Sequence, residues 1–150
     1  IIDRLSLLRQ QFGEIRIPPA VLQELRVEEE LPGSQAVRAA LEAGWLRVEE
    51  VADEPLVQAL QRDLDKGEAE AIALAVQMEA EWTLLDQREG RRAAKFLRLK
   101  VTGVLGILLR AWREGELPSL PEAMQELREK AGFRIADKLL AEVLKERAEE

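Results

Sequence analysis

Apolar residues recur along the chain at two spacings, one typical of helices and one typical of strands. Leu5, Leu8 and Phe12 lie three and four positions apart, which predicts a short helix over residues 3–12. Polar and apolar residues then alternate over 14–17, which predicts a strand. The same reasoning predicts further strands over 45–51, 82–85 and 99–102. It predicts further helices over 18 to the break at 32, 34–44, 54–62, 66–79, 88–97, 103–114, 121–131 and 135–147.

Strands that alternate with helices through short connections indicate a parallel sheet with helices on both faces. We therefore expect an α/β fold with three layers, α/β/α, and a single domain over residues 1–150. The longest unbroken apolar runs, 71–76 and 104–109, are six residues each, far below the roughly 18 that a membrane helix needs. No apolar stretch of secretory-signal length lies near the start. We expect no membrane association.

Two absent residue types exclude whole classes of chemistry. Without Cys there are no disulfides, thiolate nucleophiles or Cys-ligated metals, and without His there is no Ser-His-Asp triad or His-ligated metal. Any catalysis must therefore use carboxylates, Lys, Arg, hydroxyls or backbone groups. The lack of Cys and of a signal favours the cytoplasm, and 34% charged residues without any Asn is typical of thermophile proteins.

The net charge of −7 argues against a general nucleic-acid coat protein, but the charge is unevenly distributed. Residues 87–100 contain six basic side chains and one acidic side chain, a local charge of +5. This segment is either a solvated helix face or a surface that faces phosphates. Its candidate RNA-binding residues are Arg88, Arg91, Arg92 and Lys95.

Three carboxylates, Glu24, Glu68 and Asp86, lie on separate predicted elements beside core positions. Sites of parallel sheets lie beyond the carboxyl ends of the strands, where these side chains could converge. Each also has an ordinary explanation. Glu68 suits the dipole of a helix start, Asp86 is placed to cap the next helix, and Glu24 fits a surface position.

Clustered carboxylates repel one another unless a cation neutralises them. Oxygen ligands suit Mg²⁺ or Mn²⁺, which can generate hydroxide and bind a phosphodiester. If the three carboxylates converge, they are candidate metal ligands and catalytic residues.

The segments 65–75 and 84–94 together resemble a PIN-like domain, specifically a bacterial and archaeal branch related to VapC-type toxin nucleases. Further stretches that carry the resemblance are 17–25, 101–109 and 132–135. The resemblance implies a metal-dependent ribonuclease with four acidic residues, commonly partnered by a small antitoxin. It places Glu24, Glu68 and Asp86 at the second, third and fourth acidic positions, with Glu70 a less suitable occupant of the third.

The first acidic position of the family, an Asp that ends an initial strand, has no match in the sequence. Asp3 lies too close to the Pro-Pro helix start and precedes residues that match the segment after that strand. We therefore expect the first strand to be missing. Its absence would leave sheet edges unpaired, favour a homodimer, and weaken or abolish ribonuclease activity of this chain alone.

Two alternatives compete with a ribonuclease. A catalytically degenerate PIN-like protein would keep the fold and act as a binding or regulatory module, which the missing acidic position favours. A nucleotide-binding domain is suggested by Gly103 and Gly106 between a strand and a helix, although the full dinucleotide motif needs three glycines. Close packing of that helix on the sheet explains the two glycines better.

Overall fold

A computed structural model of the chain describes residues 5–26, 28–29, 34–116 and 119–130. Helices and strands alternate over this part of the chain, as the sequence predicts. The elements are α1 (Leu5–Phe12), β1 (Ile15–Ile17), α2 (Pro19–Leu25), α3 (Ser34–Ala43), β2 (Leu46–Val48), α4 (Glu54–Leu60), α5 (Lys66–Met78), β3 (Thr83–Leu84), α6 (Arg88–Phe96), β4 (Val101–Thr102), α7 (Val104–Arg113) and α8 (Leu120–Lys130). The predicted helix over 135–147 and the matching stretch 132–135 lie outside the described residues.

All four described strands pair in parallel, which confirms the α/β class. β1 pairs with β2 in the register Ile15 to Leu46, and β3 pairs with β4 in the register Thr83 to Val101. Within the described residues these are two separate pairs rather than one continuous sheet. The strands are also shorter than predicted, because residues such as Trp82 are apolar but lie outside the pairing and are 39% exposed.

Helix α5 lies at the centre of the fold. Ala69, Ile72 and Ala73 are at most 1% exposed, which confirms the prediction that this Ala-rich helix is buried. It packs against α2, α4, α6 and β3. The small side chains of α5 allow these elements to approach closely. As a result, Glu68 lies against α6 and Glu70 lies against α2, rather than in open solvent.

A second core joins the two ends of the described chain. Leu7 of α1, Ile107 and Leu108 of α7, and Leu120 and Met124 of α8 are all buried in it. The packing fixes α7, whose N-terminus follows β4 directly and contacts the candidate site. None of the helices within the described ranges has the length and apolar character needed to cross a membrane.

Candidate metal and nucleic-acid site

Glu24 lies near the end of α2, where its carboxyl group contacts the start of α5. The seven-residue α2 begins at Pro19, a position where proline's fixed φ is favourable, and ends at Leu25, where the C-cap residue Arg26 has a φ of 49°. A Cβ added to Gly67 would lie only 2.8 Å from Cδ of Glu24. Any larger residue at position 67 would therefore displace the Glu24 carboxyl group.

Glu68 is positioned by the N-terminus of its own helix and by a glycine of the next one. The side chain of Asp65 caps α5 and accepts a hydrogen bond from the Glu68 backbone N–H at 2.8 Å. The Glu68 carboxyl group lies against Gly90 of α6, and its Oε2 occupies the space that a Cβ there would need. This Oε2 atom is buried and has no hydrogen-bond partner among the described residues.

Mutual repulsion and burial disfavour the charged forms of these carboxyl groups. Burial, then the contact and charge of Asp65, and then the charges of Glu89 and Glu24 raise the pKa of Glu68 to about 7. Burial and the charge of Asp65 also raise the pKa of Glu24. These four acidic residues are therefore electrostatic neighbours. We call them the acidic group.

Asp86 lies after β3 and contacts a different helix. Its Oδ1 accepts a hydrogen bond from the Val104 backbone N–H at 2.8 Å, and a Cβ on Gly103 would lie 2.6 Å from the same oxygen. The interpretation that Asp86 caps the helix directly after it is wrong. It caps α7, 18 positions later, whereas the α6 N-cap Gln87 makes no side-chain capping bond. The reason is that β3 and β4 are paired, which brings the two strand ends together.

The predicted basic residues line one cleft. Arg88, Arg91, Arg92 and Lys95 fall three or four positions apart and so share one face of α6. They and Asp86 line an open cleft of ≈ 420 Å³. The opposite face of α6 is buried through Gly90 and Ala94. The structure thus separates a cationic face, directed to solvent, from a core face that contacts Glu68.

Glu70 has a structural role. Its Oε1 accepts a hydrogen bond from the Ala20 backbone N–H at 3.1 Å, so it caps the start of α2 from a different helix. Its Oε2 lies 4.0 Å from Lys66 Nζ, and the residue is only 8% exposed. Because both oxygens have partners and the side chain is buried, Glu70 is a poor ligand candidate.

The structure brings Glu24 and Glu68 into one group and places Asp86 beside the basic residues. Within the described ranges, no three Asp or Glu side chains form a group that could hold a metal ion. Convergence of all three carboxylates on one ion stays a prediction. Gly106 packs with its Cα close to Thr102, where a Cβ would lie 2.6 Å from Oγ1, which favours the packing explanation of that glycine over nucleotide binding.

The comparison with known proteins identifies the family. A family model described as a PIN domain matches the chain over residues 1–150. The chain belongs to the PIN-domain family. No curated protein and no solved structure gives a significant match. PIN domains are generally nucleases and typically use divalent metal ions, so the acidic group must be tested against that requirement.

The acidic group of this PIN domain fits a hydrated cation. Mg²⁺ usually keeps several waters and binds through one or two carboxylates, so a group of three is not required, and Glu24 and Glu68 are the residues that would hold it. The buried Oε2 of Glu68, without a partner among the described residues, is the atom that a cation would satisfy. Burial contributes most to the raised pKa values of Glu24 and Glu68, and a bound cation would offset both that burial cost and the repulsion from the neighbouring carboxyl groups.

Sequence reasoning missed several residues of this site. Asp65 was detectable, since Asp-x-x-Glu at a helix start is the pattern of a capping box. Glu89, Gly67 and Gly90 had no comparable signal, and Gly103 was predicted to pack closely but not to contact a carboxyl group. Their role depends on contacts between elements distant in sequence.

Proposed function

We propose that this PIN domain is a metal-dependent endoribonuclease of the toxin–antitoxin type. It hydrolyses RNA phosphodiester bonds with Mg²⁺ or Mn²⁺ held by carboxylates, and Glu24, Glu68 and Asp86 are its ligands and catalytic residues. The observation that carries the proposal is the buried Glu68 Oε2, which has no partner among the described residues and lies in a group of mutually repelling carboxyl groups.

The residues around Glu68 have complementary tasks. Asp65 holds the first turn of α5, and Gly67 and Gly90 leave room for the Glu24 and Glu68 carboxyl groups. A divalent ion bound there would activate water and neutralise charge on the phosphate. Asp86 has one oxygen committed to the Val104 N–H, so the α7 N-terminus fixes its orientation.

The cationic face of α6 supports RNA as the substrate. Arg88, Arg91, Arg92 and Lys95 would bind backbone phosphates and offset the repulsion between RNA and a protein of net charge −7. Asp86 lines the same cleft. The cleft therefore offers both phosphate ligands and a candidate catalytic carboxylate.

We extend the proposal to the first acidic residue and to partners. Each described strand pair, β1 with β2 and β3 with β4, could accept a further strand between β1 and β3, and that strand would deliver the missing Asp. A small antitoxin and a second copy of the chain are the proposed protein partners. The VapC-related resemblance supports them, as it supports one domain over 1–150 in the cytoplasm.

Cleavage of single-stranded RNA with Mn²⁺ tests the proposal, and it is measured for this chain and for a version extended by a strand that ends in Asp, because this chain alone is expected to cleave weakly or not at all. Glu68→Gln and Asp86→Asn should each reduce the rate strongly, whereas Glu81→Gln, an exposed glutamate outside the site, should not. Mn²⁺ should raise the melting temperature of Glu81→Gln as much as that of the parent protein, and it should raise the melting temperatures of Glu68→Gln and Asp86→Asn less. Equal rates and equal metal-induced shifts in all variants would reject the assignment.

A catalytically degenerate PIN protein is the second candidate. It is favoured by the finding that no three carboxyl groups within the described residues form a metal-holding group. This candidate predicts RNA binding without cleavage, both for this chain and for a version extended by a strand that ends in Asp. Restored cleavage in the extended version would favour the nuclease.

A further inference from the structure

Phe96 is the most exposed large hydrophobic side chain of the described residues. It is the last residue of α6 and 86% of its surface is exposed, whereas Gly90 and Ala94 of the same helix are buried. The four other large hydrophobic side chains with notable exposure, Val48, Val76, Met78 and Trp82, are between 39% and 42% exposed. Phe96 therefore adds little to the core of the domain.

The position of Phe96 on α6 is next to the cationic face. Arg88, Arg92 and Phe96 are spaced by four residues, so each lies about 40° further round the helix and about 6 Å further along it. Lys95 precedes Phe96 directly. Phe96 thus follows Arg88 and Arg92 by one further helical turn, although it is not among the residues that line the cleft.

We propose that Phe96 is a stacking platform for an unpaired base of a single-stranded RNA whose phosphates occupy the cationic cleft. The inference rests on the proposed function and specifies its substrate as single-stranded. A nucleic-acid strand alternates anionic phosphates with flat, largely apolar bases, which matches cations followed by an exposed ring. Sequence-tolerant binding of single strands uses this combination of a positive groove and aromatic side chains.

Charge complementarity favours RNA over a second copy of this chain as the occupant. The chain carries a net −7, while residues 87–100, which include Phe96, carry a local charge of +5, so this segment favours an anionic ligand over a second copy of the chain. In a duplex the bases are already stacked and paired, so they could not reach the ring. Stacking on Phe96 therefore selects single strands.

The test measures binding of a short fluorescein-labelled single-stranded RNA by anisotropy, in EDTA so that no cleavage occurs. Phe96→Ala should weaken binding roughly 5- to 150-fold, which is the affinity that one stacked base contributes. Phe96→Trp should retain the affinity. Met78→Ala, which truncates an exposed apolar side chain on another helix, is the matched control and should bind like the parent protein. Thermal unfolding confirms that each variant is folded.

An abasic oligonucleotide of the same length separates stacking from phosphate binding. The abasic oligonucleotide should bind the parent protein and Phe96→Ala with equal affinity. A duplex should also bind both proteins equally. Arg92→Ala should weaken all three ligands and reduce the salt dependence. Equal binding of the base-containing single strand by the parent protein and Phe96→Ala overturns the proposal. The proposal is also overturned if Phe96→Ala dissociates a dimer of the protein. It is overturned as well if Phe96→Ala weakens binding of the abasic oligonucleotide as much as binding of the base-containing strand.

The cleavage assay with Mn²⁺ distinguishes this inference from the proposed function. If Phe96→Ala loses base-dependent affinity but neither the parent protein nor its version extended by a strand that ends in Asp cleaves RNA, the stacking site stands and the nuclease proposal fails. If the parent protein cleaves and Phe96→Ala binds normally, only the stacking site fails.

Discussion

Replacement of Glu68 by Gln should stabilise the metal-free protein near neutral and alkaline pH. The pKa of the Glu68 carboxyl group is raised from 4.5 to about 7, because burial and three neighbouring carboxyl groups disfavour its charge. The folded state therefore binds more protons than the unfolded state between these values, and the free energy of unfolding falls as pH rises through that window. Gln keeps the shape without a charge to bury, so the variant should not show this loss.

The size of the effect follows from the shift. Each pKa unit corresponds to 1.36 kcal/mol, which would give about 3 kcal/mol for a fully buried group. Glu68 is half-buried, so solvent screening reduces the expected gain to roughly 1–2 kcal/mol above about pH 8. For a chain of this length that gain corresponds to about 3–6 °C in melting temperature.

Thermal unfolding in EDTA at about pH 5 and about pH 8 checks this prediction. The parent protein and Glu68→Gln should melt at closer temperatures at the lower pH, and the variant should be the more stable one at the higher pH. Glu81→Gln should follow the parent protein at both. A variant that is less stable than the parent protein at the higher pH would refute the argument that Glu68 carries an unfavourable charge in the folded state.

Three further predictions concern the other contacts of the site. Asp86→Ala should lower the free energy of unfolding by about 1 kcal/mol because the α7 cap is lost, while Asp86→Asn should largely retain it, as denaturant titration will show. Arg91→Ala and Arg92→Ala together should reduce the slope of log affinity against log salt by roughly 1.4 for single-stranded RNA, with unchanged slopes contradicting a phosphate role. Gly90→Ala should displace the Glu68 carboxyl group and reduce the Mn²⁺-induced rise in melting temperature, and it should have no such effect in the Glu68→Gln background.

The order of the elements could be predicted because it depends on local patterns. Periodicity located α5 and α6 to within one residue at each end, and Gly13, with a φ of 74°, ends the first helix as expected. The predicted strands are longer than the observed ones, because an apolar residue can pack against a neighbour without belonging to a paired strand. Trp82 lies outside β3, and Lys100 Nζ is 5.7 Å from the centre of its ring.

The candidate site could be predicted only as a set of residue types. The sequence predicts Asp86 at the end of a strand and the structure places it just after β3, but its hydrogen-bond partner Val104 depends on the pairing of β3 with β4. Glu70 shows the same limit. Glu70 lies only two residues after Glu68 in the same helix. Only its contact with the Ala20 backbone N–H of α2 reveals that it caps a helix instead of facing a ligand.

The three candidate carboxylates share one structural feature, which is a close contact between the carboxyl group and a glycine. Each contacts a glycine of an element that follows it in the chain: Glu24 contacts Gly67, Glu68 contacts Gly90, and Asp86 contacts Gly103. A side chain at any of these glycines would collide with the carboxyl group, so the glycines are required by the acids rather than by a backbone conformation. Because Gly67 directly precedes Glu68, a change there would displace Glu24 and disturb the first turn that holds Glu68. The three glycines therefore leave the space that the carboxyl groups occupy between neighbouring elements, so the position of each candidate site residue depends on how closely those elements pack.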